Sequence, residues 1–160
     1  MLRALLMCCF ILTAPAPAIA QSAYRGDART IASALAYLDA YQALDLERLE
    51  AFYAEDAAFH DPTSLRASVI GGPFVWRGRD EIMAGIRAWT ESVSSLNYDV
   101  EDVYEASGRV VILGAVNPVV ATPSGSAQFH YRIVTIVTVE DGLVREHRDY
   151  TDYAGVKQVH

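Results

Sequence analysis

Residues 37–62 read YLDAYQALDLERLEAFYAEDAAFHDP. Leu38 and Tyr41 continue an apolar series that starts with Ile31, Ala34 and Leu35, at the spacing of one helix face. The series predicts a helix capped by Asp27 or Thr30 and running to about Ala43. Asp45 can cap a second, shorter helix with Leu46, Leu49, Phe52 and Tyr53 on one side. The period then switches to two: Ala57, Phe59 and Asp61 share a face of a short strand that Pro62 stops, because proline cannot donate to a ladder. Helix, helix and strand follow one another here with almost no linker.

Upstream, Met1 to Ala20 reads MLRALLMCCFILTAPAPAIA. Arg3 precedes an apolar run from Ala4 to Leu12, then Pro15, Pro17 and a terminal Ala18-Ile19-Ala20. That order is expected of a cleavable export signal, and the run is too short to cross a bilayer. Cleavage after Ala20 takes 20 of the 160 residues and both cysteines, Cys8 and Cys9, with it. The expectation is a periplasmic or secreted chain with no stable membrane anchor. Residues 21–27 are expected to be a flexible lead, 28–156 one domain and 157–160 a tail.

Downstream, Pro62 to Trp76 reads as a loop punctuated by Gly71-Gly72-Pro73, and Arg79 to Val93 as a third helix with Ile82, Met83, Ile86, Trp89 and Val93 inward. Four strands are expected after it: Leu96–Glu105, Arg109–Ala121, Ala127–Val139 and Leu143–Tyr153. Ser107-Gly108, Pro123-Ser124-Gly125 and Asp141-Gly142 supply the turns. Helices followed by a strand meander give an α+β fold, three N-terminal helices packed on a curved, mostly antiparallel sheet. A pocket remains wherever the helices do not fill the concave face.

Apolar residues are 52% and charged residues 21% of the chain, a globular profile rather than a disordered one. With 13 Lys+Arg against 20 Asp+Glu, the chain lacks the basic surface that nucleic-acid binding needs. Lys157 is the only lysine, so there is no polybasic membrane patch. No phosphate-binding glycine loop, H-E-x-x-H, cysteine metal pair or G-x-S-x-G elbow occurs. The reading is therefore of cofactor-free chemistry without a metal.

Several polar residues lie where apolar ones are expected. Asp61 ends an apolar strand face; partial burial would raise its pKa and suit it to general-base work, while the plainer reading is a turn cap before Pro62. The last strand carries Arg145, His147, Asp149 and Thr151 on one face and Glu146, Arg148, Tyr150 and Asp152 on the other. Neither face ends apolar, so the strand lines a polar cavity, forms an interface or sits at a charged exposed edge. His130 and His147 could join Asp61 or Asp149 around a metal, though their spacing fits no closed template. Tyr37 reads as core unless its hydroxyl reaches a cavity. Trp76 and Trp89 read as packing residues that could also wall a pocket.

The stretch Tyr37–Pro62, the W-R-G-R-D-E-I helix start at Trp76 and the terminal D-G-L-V-R-E-H-R-D-Y-T-D strand together resemble the nuclear transport factor two-like superfamily. It includes ketosteroid isomerases, SnoaL-like polyketide cyclases and limonene epoxide hydrolases. The resemblance implies a conical α+β barrel with an apolar pocket, often a homodimer. It places Asp61, in His60-Asp61-Pro62, on the isomerase general base and Tyr37 on the oxyanion-hole tyrosine; Thr135 falls near that family's protonated aspartic acid. Arg148-Asp149-Tyr150-Thr151-Asp152 resembles the R-D-Y-x-D of the epoxide hydrolases and puts Asp149 on their catalytic aspartate. Their Arg-x-Asp falls near Gly114 to Val116, which offers neither charge, and their water-positioning Tyr and Asn fall on Phe59 and Asp61.

The expected function is acid–base catalysis on a small hydrophobic molecule: isomerisation, cyclisation or water addition. Asp61 moves the proton, Tyr37 donates to an oxyanion, and Asp149 and His147 position water or a polar substrate group. Phe59, Trp76, Trp89, His130 and Thr135 are expected to contact the substrate. The alternative is a non-catalytic module that uses the same pocket for binding, or its sheet for dimer contacts.

Overall fold

The computed structural model describes residues 26–63 and 73–159. The expected export signal over residues 1–20, the lead over 21–25 and the loop over 64–72 lie outside the described residues.

Helix α1 (Ala28–Gln42) starts at Asp27, whose side chain accepts the Thr30 amide. The Asp27 amide donates to Glu105 Oε2 at 2.7 Å, so this end of the lead is tied to the sheet. Leu44 turns the chain at φ 53°, and Asp45 caps α2 (Leu46–Phe52) by accepting the Arg48 amide. Strand β1 (Tyr53–Asp61) follows directly and is longer than the sequence suggests. Its inner face buries Ala57, Phe59 and Asp61, as the alternation predicts; Tyr53, expected on the second helix, is buried at the start of the strand, before a shift in register.

Phe74 to Arg77, expected in part as loop, is strand β2, antiparallel to β1 with Phe59 opposite Trp76. Its F-V-W-R run gives Ala58–Asp61 of β1 a partner on the side away from the rest of the sheet. Helix α3 (Arg79–Thr90) buries Ile82, Met83 and Ile86. It stops short of Val93 because Val93–Ser95 is strand β3. Strands β4 (Tyr98–Ala106) and β5 (Arg109–Val116) form a hairpin, and Asn117-Pro118 then divides the expected long strand into β5 and β6 (Val119–Thr122). Pro118 has no N–H for the ladder, and its carbonyl accepts the Phe129 amide instead.

Strand β7 (Gly125–Glu140) is 16 residues long and pairs with β6 at its start and with β5 and β8 (Leu143–Thr151) beyond. A short 3₁₀ turn (Tyr153–Gly155) leads to β9 (Lys157–Gln158), which pairs with Phe129 and His130 of β7. The main sheet runs β2-β1-β8-β7-β5-β4, with β1 and β8 its one parallel pair. Strand β8 is thus central, and the exposed-edge reading of its charges does not hold. The outer face carries them in polar contacts: Arg148 pairs with Glu146 at 2.6 Å, and His60 Nε2 lies 3.6 Å from the same carboxylate. The three helices lie on the concave face, and the core between them and the sheet holds Leu38, Tyr53, Ile82, Ile86, Ile112 and Val137.

Candidate functional site

A cavity of about 300 Å³ lies between the helices and the sheet. Of its 24 described lining residues, nine are aromatic, among them Tyr41, Phe59, Trp76, Trp89, Tyr98 and Tyr131. Its charged lining residues are Asp61 and Asp149, which are 7% and 5% exposed. Each reaches the cavity because an alternating strand sends every second side chain inward: Asp61 follows Ala57 and Phe59 on β1, and Asp149 follows His147 on the neighbouring β8.

Asp61 caps the turn before Pro62, and it also lines the cavity. Its Oδ1 accepts the Thr63 amide at 3.1 Å and the Thr63 hydroxyl at 2.7 Å, an Asx turn around Pro62. Its Oδ2 accepts the Tyr153 hydroxyl at 3.1 Å. Burial pushes its carboxyl above the ordinary carboxylate value and the nearby Asp149 adds to the rise, while the hydrogen bonds from Thr63 and Tyr153 oppose it.

Behind Asp149 stands a buried polar chain. Thr135 Oγ1 donates to Asp149 Oδ1 at 2.5 Å. His147, wholly buried, brings Nε2 to 2.8 Å from Asp149 Oδ2. The short separation makes this an electrostatic contact, but Nε2 has no well-aligned hydrogen-bond partner among the described atoms. His147 Nδ1 lies 2.8 Å from the Tyr37 hydroxyl, which lies 2.5 Å from the Tyr53 hydroxyl. Either hydroxyl can donate in the Tyr37–Tyr53 contact, and His147 Nδ1 donates to or accepts from the Tyr37 hydroxyl according to its tautomer. Burial pushes the Tyr37 phenol well above its ordinary value, so it stays protonated.

Asp61, Asp149, Phe59, Trp76 and Trp89 line the cavity. Four other expected site residues do not. Tyr37 is one layer back, its hydroxyl enclosed by Tyr53 and His147 rather than facing the cavity. His147 is also in this second layer, with its ring stacked 4.5 Å from Phe59. Thr135 touches Asp149 and not the cavity, because its partner lies between. His130 donates from Nδ1 to Asn117 Oδ1 at 2.8 Å and is likewise no lining residue. Tyr98, Tyr131 and Tyr153 do line the cavity and were not foreseen. For Tyr153 the signal was present: it continues the period-two series of His147, Asp149 and Thr151 one step past the end of β8.

The model of the SnoaL-like domain family matches residues 34–147, most of the described fold. The chain belongs to the SnoaL-like family. No curated protein sequence matches it. Among solved structures, a protein from Shewanella denitrificans OS-217, assigned by name as a SnoaL-like polyketide cyclase, is similar at a TM-score of 0.70 and 20% identity over 80% of this chain and 93% of that one. Its counterpart from Shewanella putrefaciens CN-32 is similar at 0.69 and 23% identity over 81% and 93%. An LEH-like epoxide hydrolase from M. tuberculosis is similar at 0.64 and 17% identity over 79% and 84%. At these identities the likeness is one of fold. This SnoaL-like chain shares its α+β cone with cyclases, isomerases and epoxide hydrolases, so its reaction has to be argued from its own cavity.

Proposed function

We propose that this SnoaL-like protein is a cofactor-free acid–base catalyst acting on a small, largely apolar molecule by isomerisation, cyclisation or water addition. The observation that carries the reading is the pair of buried carboxylates, Asp61 and Asp149, lining one aromatic cavity. Ionised Asp61 removes a proton from the substrate and returns it at another atom; its raised pKa makes it a stronger base than an ordinary carboxylate. Asp149, held by Thr135 and His147, fixes a substrate hydroxyl or a water by accepting its hydrogen bond. A non-catalytic binding role is the second reading, favoured by the placement of the Tyr37 hydroxyl behind the cavity wall instead of at an oxyanion. We further propose that the chain works outside the cytoplasm after cleavage at Ala20 and as a homodimer. N-terminal sequencing of the exported protein and sedimentation equilibrium test those two points.

The test of catalysis is a turnover screen of residues 21–160 beside Asp61→Asn, on β,γ-unsaturated ketosteroids, terpene epoxides and polyketide-like β-ketoesters. Turnover that falls at least about a hundredfold in Asp61→Asn, with folding intact, supports the reading. Turnover that survives the substitution, or silence across the panel, shifts the weight to binding.

A further inference from the structure

The oxyanion donor expected at Tyr37 is turned away from the cavity, toward Tyr53 and His147. Four other tyrosines line the cavity: Tyr41, Tyr98, Tyr131 and Tyr153. The Tyr153 hydroxyl is given to Asp61, and Tyr98 shares Thr135 with Asp149. The hydroxyls of Tyr41 and Tyr131 make no hydrogen bond to another described residue. Tyr41 belongs to α1, with its ring between those of Tyr37 and Trp89. Tyr131 belongs to the sheet, as the two carboxylates do. Burial pushes its phenol above the ordinary value, and Asp149 and Asp61 add to the rise, so it stays protonated and can donate.

The backbone around Tyr131 is well held. Strand β7 leaves β6 after Gln128 and is paired with β5 from Tyr131 onward, so Tyr131 stands at the bend. The Asp152 amide donates to the Arg132 carbonyl at 2.9 Å, and Lys157 of β9 pairs with His130. Alternation puts Tyr131, Ile133 and Thr135 on one face of β7, and Thr135 is opposite Asp149. Four residues of strand, about 13 Å, separate Tyr131 from Thr135. A tyrosine side chain spans about half that length, which leaves space for a reacting group over Ile133 and Thr151, cross-strand partners that both line the cavity.

We propose that Tyr131 is a catalytic hydrogen-bond donor, whose hydroxyl binds a carbonyl oxygen of the substrate while the neighbouring C–H bond faces Asp61. The proposal rests on the acid–base reading and deepens it. As Asp61 takes the C–H proton, the electron pair of that bond forms a new C=C bond and the carbonyl π pair moves onto oxygen. The Tyr131 phenol keeps its proton and stabilises that oxygen through its hydrogen bond. Return of the proton from Asp61 to a conjugated carbon of the anion restores both the carbonyl and the carboxylate.

The test uses two probes of nearly identical shape, 2-acetylnaphthalene and 2-isopropenylnaphthalene, in which a methylene group replaces the carbonyl oxygen. Each is titrated calorimetrically into the full chain, and infrared spectroscopy follows the carbonyl stretch of the bound ketone. In the wild type that stretch should lie below its position in an alkane, the mark of a donated hydrogen bond. Tyr131→Phe keeps the ring; it should return the stretch toward the alkane position and weaken ketone binding about three- to tenfold, with less than about a twofold change for the hydrocarbon. The 3-fluoro analogue of Tyr131, a more acidic donor of the same shape, should move the stretch further down. Tyr150→Phe, exposed on the outer face of β8, should change none of these. A stretch at the alkane position in the wild type overturns the inference whatever the variants do. A lowered stretch that survives Tyr131→Phe, or that the fluoro analogue leaves in place, overturns it as well and assigns the donor to another group. Both of those outcomes leave the acid–base reading standing. Binding of neither probe overturns the inference together with the apolar-ligand reading beneath it.

Discussion

At Asp61 one side chain meets two environments that conflict energetically. The turn around Pro62 favours an ionised acceptor, and burial beside the cavity makes ionisation costly. In the unfolded chain Asp61 ionises at the ordinary carboxylate value; in the folded chain it does so at a higher one. Stability is therefore lost as pH rises through that window and is level above it. Asp61→Asn removes the titration, so its melting temperature relative to wild type should shift upward between pH 3 and pH 8. Melting curves across that range check the sign; a difference independent of pH rejects it. Tyr37 makes the opposite case. Because its hydroxyl serves Tyr53 and His147, Tyr37→Phe should cost about 1–3 kcal/mol of stability, measured by urea unfolding. The same substitution should lower any turnover less than about tenfold, since the group meets no substrate. A hundredfold loss in a folded variant would instead place the hydroxyl at the reacting atoms. His147→Phe leaves Tyr37 and Asp149 without their partner and should cost more, about 3–5 kcal/mol.

Among the elements, α3 comes close to β2 at Gly85. A Cβ at Gly85 would overlap the Trp76 ring, the far wall of the cavity. Alanine in place of glycine inside a helix ordinarily stabilises by about 0.5–1 kcal/mol. Here the overlap should reverse the sign: Gly85→Ala is expected to destabilise by about 1 kcal/mol and to move Trp76, which thermal unfolding and tryptophan fluorescence check together. The C-terminal end has a similar link to the site. Val156 lines the cavity, and β9 holds it there by pairing with β7. Deletion of residues 157–160 should weaken binding of a cavity ligand several-fold with little loss of stability, because the pairing removed is two residues long.

For the whole molecule, the sheet is bent by a strand too long for one partner. β7 pairs with β6 over Gly125–Gln128 and with β5 and β8 beyond, so the concave face opens into the cavity the helices leave unfilled. A ligand that occupies this space stabilises only the folded state. At about a hundred times its dissociation constant it should add about 2.7 kcal/mol, a rise of several degrees in melting temperature. A ligand that binds without raising it is seated elsewhere.

Much of this architecture was legible in the chain itself. Asp27 and Asp45 are caps that act locally, so helix starts could be read within four residues of sequence. Periods of 3.6 and two assigned Ile31, Leu38 and Phe59 to buried faces, because each face repeats at the geometry of its own backbone. The same alternation turned Asp61 and Asp149 inward. What sequence alone could not decide was partnership. That Phe74–Arg77 is strand, that β8 is central, and that Asn117-Pro118 ends a strand depend on which backbone lies alongside. Whether an inward side chain meets the cavity or the layer behind it depends on what packs in front of it. Asp149 stands before Thr135, and Tyr53 and His147 enclose the Tyr37 hydroxyl. Local periodicity determines a side chain's face, but only long-range pairing determines its neighbours.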